Sequence, residues 1–413
     1  MNPQNENNGN NGEIYSSSES LMVPEEKTPV SRDEKIVSDE YADYKFLKPV
    51  RGRHTADGAV KKHRDGRHKK KMKTWKKVLF IVVCSLLAII IAAASTVFIL
   101  IQSGRSQLFL SDVKITLPDI STLITEDNGK YVTYNGHKYK YNENVTNLLF
   151  MGVDKRDLDE SNEEGTGGQA DVLVMMAIDT QKRKISLISL PRDTVADVDV
   201  YDNAGNYTGM QQMQVCLAYA YGDGKEKSCE NTLAAIRRIF YNVPVPTYYA
   251  LDLDGIAPLN DSVGGVDVVA PESIYKFEQG QSYHLEGKDA EAFVRTRSHE
   301  YTEANLSRME RQKVYAKAFI DKVFTTAKQD LSVPVNMFNE SSPYSCTNLN
   351  ASKVAYLAKE AVLGGGMDVE MVSVQGSMTR QDSANQEDSV ASYHLDEKQF
   401  YELFLNVYYD QIS

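Results

Sequence analysis

The densest chemistry in this 413-residue chain is the stretch RTRSHEYTEANLSRMERQ, from Arg295 to Gln312. Arg295 and Arg297 are two positions apart, so in an extended segment both side chains face the same way. Arg308, Arg311 and Gln312 fall at i, i+3 and i+4, one stripe of a helix. Planar donors that converge in this way suit a polyanion such as a pyrophosphate, because each guanidinium fork matches two phosphate oxygens. The alternative is a solvated helix face whose arginines pair with Glu300, Glu303 and Glu310.

A phosphate site also needs carboxylates if a cation is to assist it. Asp154 ends an apolar run in MGVDKRD, and Asp171 opens the next in GGQADVLV. If the two runs are neighbouring strands, both carboxylates meet at one edge of a sheet, where α/β folds place their ligands. Two carboxylates completed by phosphate oxygens and water are a common way to hold Mg²⁺, with Mn²⁺ as a substitute. Arg156 and Arg192 lie beside the same strand ends and add phosphate donors. Singly, each aspartate also fits a turn or cap. The chain has no nucleophile elbow, P-loop or HExxH, so acyl transfer, nucleotide hydrolysis and zincin chemistry lack support.

These residues need a scaffold, and the flanking pattern is that of an α/β domain. VTNLLFMGVD (145–154) and DVLVMMAID (171–179) are apolar runs of strand length, and KISLISL alternates until Pro191 stops it. SCENTLAAIRRIFYNVP reads as a helix with Ser228 as N-cap and Pro244 as its stop. TYYALDLDG follows as a strand, then a short helix over 254–262 and a glycine turn into VDVVAP. LEGKDAEAFVRTR suggests a helix leading into the arginine pair. Residues 305–328 form a long amphipathic helix; its Phe319 and Phe324 suit core packing or, alternatively, a lipid groove. The tail adds a helix over 351–362. Strands alternating with helices imply a mixed central β-sheet flanked by helices.

Val78 to Ile101 is an uncharged run that spans ~36 Å as a helix, enough to cross a ~30 Å hydrocarbon layer. The preceding KKHRDGRHKKKMKTWKK is strongly basic, which by the positive-inside rule puts the N-terminus in the cytoplasm and the rest outside. Residues 1–77 carry 17 Lys and Arg against 12 Asp and Glu, a net of +5, so the remainder holds −16 of the total −11. So acidic an outer part is a poor nucleic-acid binder. The expected order is a disordered, partly basic tail (1–77), a membrane helix (78–101), a linker (102–143), a catalytic domain (144–328) and an extension packing on it (329–413). The basic stretch suits a topology signal that touches membrane lipid, or a cytoplasmic docking arm. Cys216 and Cys229 flank a glycine-rich turn on the oxidising side, and a disulfide between them is expected, leaving Cys346 over.

The blocks GVDKR, ADVLVMMAIDTQKRKISLISLPRDT, AYAYGDG, DLDGIAPLNDSVGGVDV, LEGKDAEAFVRTRS and SRMERQ resemble, in that order, the LytR-CpsA-Psr family over about residues 144–328. The resemblance implies an extracytoplasmic phosphotransferase. Such an enzyme moves a teichoic-acid- or capsule-like glycopolymer from an undecaprenyl-pyrophosphate carrier to peptidoglycan, with an apolar groove for the polyprenyl chain. It further implies that Asp154 and Asp171 hold the metal and that Arg156, Arg192, Arg295, Arg297, Arg308, Arg311 and Gln312 bind the pyrophosphate. Asp193 matches the acid after the PR arginine, as an orienting residue, and Asp171 or Asp193 would serve if a general base is needed.

The chain departs from the family pattern in several places. Gln169 stands where the family often has Arg, Asn305 where it often has Asp, and Gln214 and Cys216 where Lys and Asn are usual. An acidic loop from Asp157 to Glu164 widens the gap between the two metal carboxylates. Two other functions compete: a polyprenyl-pyrophosphate phosphatase using the same site, and a non-catalytic envelope regulator or scaffold.

Overall fold

The computed structural model describes residues 73–110, 114–118, 123–156, 158, 168–202, 204–296, 304–330, 332–381 and 390–413. The tail and most of the basic stretch, the acidic loop from Asp157 to Glu164 (apart from Leu158), and Arg297, Glu300 and Glu303 lie outside the described residues. Helix α1 (Thr74–Leu108) contains the uncharged run and is long and apolar enough to cross a membrane. It continues past that run, and its last turns pack on α7 (Ala351–Leu363). The approach needs a residue without a side chain, since a Cβ at Gly104 would lie 1.9 Å from the Ser352 carbonyl oxygen.

The central sheet has six strands in the order β12 (Ser345–Thr347), β9 (Thr247–Leu251), β4 (Val145–Val153), β5 (Ala170–Asp179), β6 (Lys184–Leu190) and β13 (Asp368–Ser373). It is mixed: β5 runs antiparallel to both of its neighbours, β4 and β6, while β9 runs parallel to β4 and β13 parallel to β6. The stretches expected to be linker and extension both build this domain. β1 (Leu123–Glu126), β2 (Tyr131–Tyr134) and β3 (His137–Tyr141) form a small sheet closed by β16 (Tyr409–Gln411), and β12 and β13 edge the main sheet. Three hairpins complete the strands: β7 (Val195–Tyr201) with β8 (Tyr207–Gln214), β10 (Val266–Val269) with β11 (Ser282–Leu285), and β14 (Gly376–Gln381) with β15 (Val390–Leu395).

Strand side chains alternate between faces, so each strand of the central sheet writes two surfaces. Leu149, Met151, Leu173, Met175 and Ile188 point to one face and are close-packed. They meet Ala235 and Ile236 of α2 (Glu226–Ile239) and Phe400, Tyr401, Phe404 and Tyr408 of α8 (Glu397–Tyr408). Phe150, Val174, Met176, Ile178, Ile185 and Leu187 point the other way, toward α5 (Ala304–Gln329) and α7, and there the packing is open. Short helices α3 (Ile256–Asp261), α4 (Lys288–Arg295) and α6 (Val333–Ser341) complete that side.

Helix α2 begins earlier than the Ser228 cap implies. Asp223 accepts from the backbone N–H groups of Lys225 and Lys227, at 2.9 and 3.0 Å, and so caps the first turn. Ser228 sits inside the helix, its hydroxyl accepting from Gly224 N–H at 2.8 Å. An aspartate ahead of the helix competes for the same orphan donors and here wins them.

Candidate active site

The aspartates meet as strand neighbours. β4 and β5 pair antiparallel with Val153 opposite Ala170, across a register shift at Gly152/Val153 that ends the ladder. Asp154 lies just past the end of β4 and donates its backbone N–H to the Gln169 carbonyl at 3.0 Å. Asp171 is the second residue of β5. Among the described residues no group of three or more His, Cys, Asp or Glu side chains gathers as metal ligands. This donor set therefore fits a divalent ion only when phosphate oxygens and water complete the shell.

Asp171 is nearly buried and gripped on both oxygens. Arg192, placed just past β6 where Pro191 ends the strand, bonds Oδ1, and Arg308 of α5 bonds Oδ2 at 3.2 Å. The other Arg192 Nη donates to Gln169 Oε1, so the glutamine that replaces a usual arginine becomes an acceptor for a site arginine. Asp193, 3% exposed, lies 3.4 Å from Arg192 Nε and accepts from Gln214 Nε2 at 3.1 Å. Neither Asp193 nor Arg192 lines the main cavity; the two sit side by side at its margin, with Asp193 placed to orient Arg192.

Arg295 ends α4 rather than lying in an extended segment, so the expected two-residue alternation with Arg297 does not describe it. It stands 2.8 Å from Glu291 and 3.5 Å from Asp154. Arg156, largely exposed, pairs with Asp254 at 2.5 Å and with the same Glu291 at 3.1 Å. Glu291 and Asp254 escaped the sequence reading. Glu291 had a usable signal, since it precedes Arg295 by one helical turn. On α5, Arg308 and Gln312 are also one turn apart, and both line the cavity. Arg311 turns away: it is fully buried and donates to the carbonyls of Phe293 and Thr296 and to Glu272.

The open face of the sheet encloses a cavity of about 920 Å³ whose walls are mostly apolar. Asp154, Asp171, Arg295, Arg308 and Gln312 form its polar end, and Lys288 lines it from the opposite terminus of α4 to Arg295. Phe319 and Phe324 do both: they pack against buried apolar clusters and line the cavity. A smaller cavity of about 260 Å³ shares Leu148, Phe150, Phe319 and Phe324 with it and reaches α6 and α7.

The expected Cys216–Cys229 disulfide is not formed; both are thiols. Cys216 lies in the 3₁₀ turn Val215–Tyr221 near Arg192, whereas Cys229 on α2 hydrogen-bonds the thiol of Cys346. Burial pushes the Cys216 thiol up to about 12, against a partial lowering by Arg192. At pH 8 its thiolate fraction is then ~10⁻⁴. Cys216 should resist iodoacetamide in the native chain and react once denatured, as read by mass spectrometry; fast native labelling would contradict its burial.

Comparison with known proteins places the chain among relatives. A relative from Bacillus subtilis, the polyisoprenyl-teichoic acid–peptidoglycan teichoic acid transferase TagV, is 29% identical over 188 residues, 43% of each chain. A TagU of the same description from Halalkalibacterium halodurans is 27% identical over 177 residues, 42% of this chain and 51% of its own. The chain thus matches about half the length of these relatives. The crystal structure of protein gbs0355 from Streptococcus agalactiae shares the fold, with a TM-score of 0.52 at 19% identity, over 64% of this chain and 86% of that one. The LytR_cpsA_psr family matches residues 116–406, taking in β1–β3, the residues that line both cavities and most of α8, and the chain belongs to that family.

Proposed function

We propose that this chain is a membrane-anchored phosphotransferase. It would move an anionic, teichoic-acid- or capsule-like glycopolymer from an undecaprenyl-pyrophosphate carrier to peptidoglycan, with its N-terminus cytoplasmic and its domain outside. The observation that carries this is the junction where the 920 Å³ apolar cavity ends on Asp154, Asp171, Arg295 and Arg308. A long isoprenoid tail needs the first part, and its pyrophosphate needs the second. The names of TagV and TagU point the same way.

Arg156, Arg192, Arg295 and Arg308 are paired with Asp154, Asp171, Asp254 and Glu291. Such a site attracts a polyanion only if the carboxylates are taken up elsewhere. Mg²⁺, when bound, supplies that neutralisation. Asp154 and Asp171 would hold it, and Arg295 and Arg308, which pair with those carboxylates, are placed to donate to phosphate oxygens as well. These arginines then stabilise the charge that spreads over the transferring phosphoryl group. The acceptor hydroxyl attacks the glycosyl-linked phosphorus and polyprenyl phosphate departs. Of the two carboxylates considered as base, Asp171 is the one that reaches the cavity.

The test uses the full chain in detergent with Mg²⁺ and a short synthetic undecaprenyl-pyrophosphoryl glycan, with and without peptidoglycan oligomers. Glycan found on peptidoglycan supports transfer. Carrier released without attachment replaces it with hydrolysis, and neither turnover nor lipid binding leaves a scaffold. A subsidiary expectation concerns the apolar wall. Ala316 of α5 lines the main cavity, so Ala316→Trp should obstruct part of it and raise KM for a long-chain donor by about tenfold, ~1.4 kcal/mol. A donor with a short tail should be much less affected; equal effects would mean that the tail binds elsewhere.

A further inference from the structure

We infer that Cys229 and Cys346 are a disulfide site, closed by exchange with a low-molecular-weight disulfide such as cystine. The two residues come from different parts of the domain: Cys229 from the first turns of α2, and Cys346 from the middle of β12, opposite Ala250 of β9. Helix α2 packs against β12, and Cys346 packs against the buried cluster that contains Cys229. Their thiols are already hydrogen-bonded, and Tyr219 approaches the same pair. Cys216, the partner suggested by sequence spacing, faces Arg192 instead.

The two thiols differ in a way that orders the chemistry. Cys346 is half-buried, and the hydrogen bond from Cys229 favours its thiolate, lowering its pKa. Cys229 is fully buried and held as the thiol, by that same hydrogen bond and by desolvation. The Cys346 thiolate attacks one sulfur of cystine, forming a mixed disulfide and expelling one cysteine thiolate. Cys229 then loses its proton and attacks the Cys346 sulfur, expelling the second cysteine. The protein dithiol is oxidised by two electrons, and cystine is reduced to two cysteines.

The link would staple α2 to the edge of the central sheet. It would enclose β9, α3, the β10–β11 hairpin, α4, α5 and α6, the segment that bears Arg295 and Arg308 and walls much of the cavity. Closing a loop this long restricts the unfolded chain strongly. The proposal depends on the outside placement of the domain only for its cellular setting, and its chemical test is independent of that placement and of transferase activity.

The purified full chain in detergent is equilibrated with cystine in excess over cysteine, acid-quenched, denatured, alkylated and digested without reduction. Alkylatable thiols should fall from the four of the reduced chain to two, Cys84 and Cys216, with a peptide joining Cys229 to Cys346. Cys346→Ser should abolish that peptide and Cys216→Ser should leave it, while mapping of the unsubstituted chain needs no variant to fold. A Cys216–Cys229 peptide, or four alkylated thiols in excess cystine, overturns the proposal.

Discussion

Arg308→Ala should lower kcat/KM for glycopolymer transfer by about 10²–10³-fold, the scale of losing one preorganised donor at a developing charge. Arg308 is 6% exposed, donates to Asp171 Oδ2 at 3.2 Å and lines the polar end of the cavity, so its guanidinium is both desolvated and aimed. Low local dielectric makes such a group worth more than it would be in water. Arg308→Lys should recover only part of the activity, because an ammonium keeps the charge but not the fork that bonds carboxylate and phosphate together. Asp171→Asn should fall as far, since the same carboxylate also holds Arg192. The double variant Arg308→Ala/Asp171→Asn should then be only modestly worse than the poorer single variant, because residues acting as one unit are not additive. Kinetics on the full chain with a lipid-linked donor decide this. Arg308→Ala within about threefold of the parent, or losses that multiply, would show that the two do not form one device.

The apolar runs VTNLLFMGVD and DVLVMMAID made the central strands legible by their length, and the carboxylates at their ends made the candidate site legible once the strands were taken as neighbours. What an unbroken apolar run could not reveal is which face is close-packed. Leu149 and Phe150 are equally apolar, yet Leu149 enters the core beneath α2 and α8 while Phe150 lines a cavity. Hydrophobicity reports removal from water, not whether protein or a ligand removes it. Other features were written locally and missed. Asn135-Gly136, both at positive φ, is the signature of the tight turn that joins β2 and β3 inside a stretch read as linker. The last helix gave no such cue: Phe400, Tyr401, Phe404 and Tyr408 are a helical stripe, but nothing local says that their partners are Tyr134 and Tyr241, far earlier in the chain. The cysteines failed for the same reason, since short spacing favoured Cys216 while the contact that formed links α2 to β12.

The helical stripe of Arg308, Arg311 and Gln312 likewise divides by three-dimensional placement, and Arg311→Ala should cost about 3–5 kcal/mol of stability, the scale of breaking a buried ion pair from one side. Arg311 is fully buried, bonded through Nε to the Phe293 carbonyl at 3.0 Å and through its Nη atoms to the Thr296 carbonyl and Glu272. The two carbonyls lie at the C-terminal end of α4, where helix acceptors lack partners within the helix and a cation is favoured. One guanidinium thus caps α4 and fixes where Arg295, the helix's last residue, emerges into the cavity. Removing it strands Glu272, which would keep only the Ser307 hydroxyl, at 2.6 Å, among these contacts. Thermal unfolding in detergent should show a midpoint lower by roughly 10 °C. Arg311→Lys should rescue little, because one ammonium cannot reach three acceptors set out for a planar fork. Adding Glu272→Gln to Arg311→Ala should restore part of the loss by removing the stranded charge. If Arg311→Ala instead melts with the parent and loses only transferase activity, then Arg311 meets the phosphates directly, and the stripe read from sequence acts as a whole.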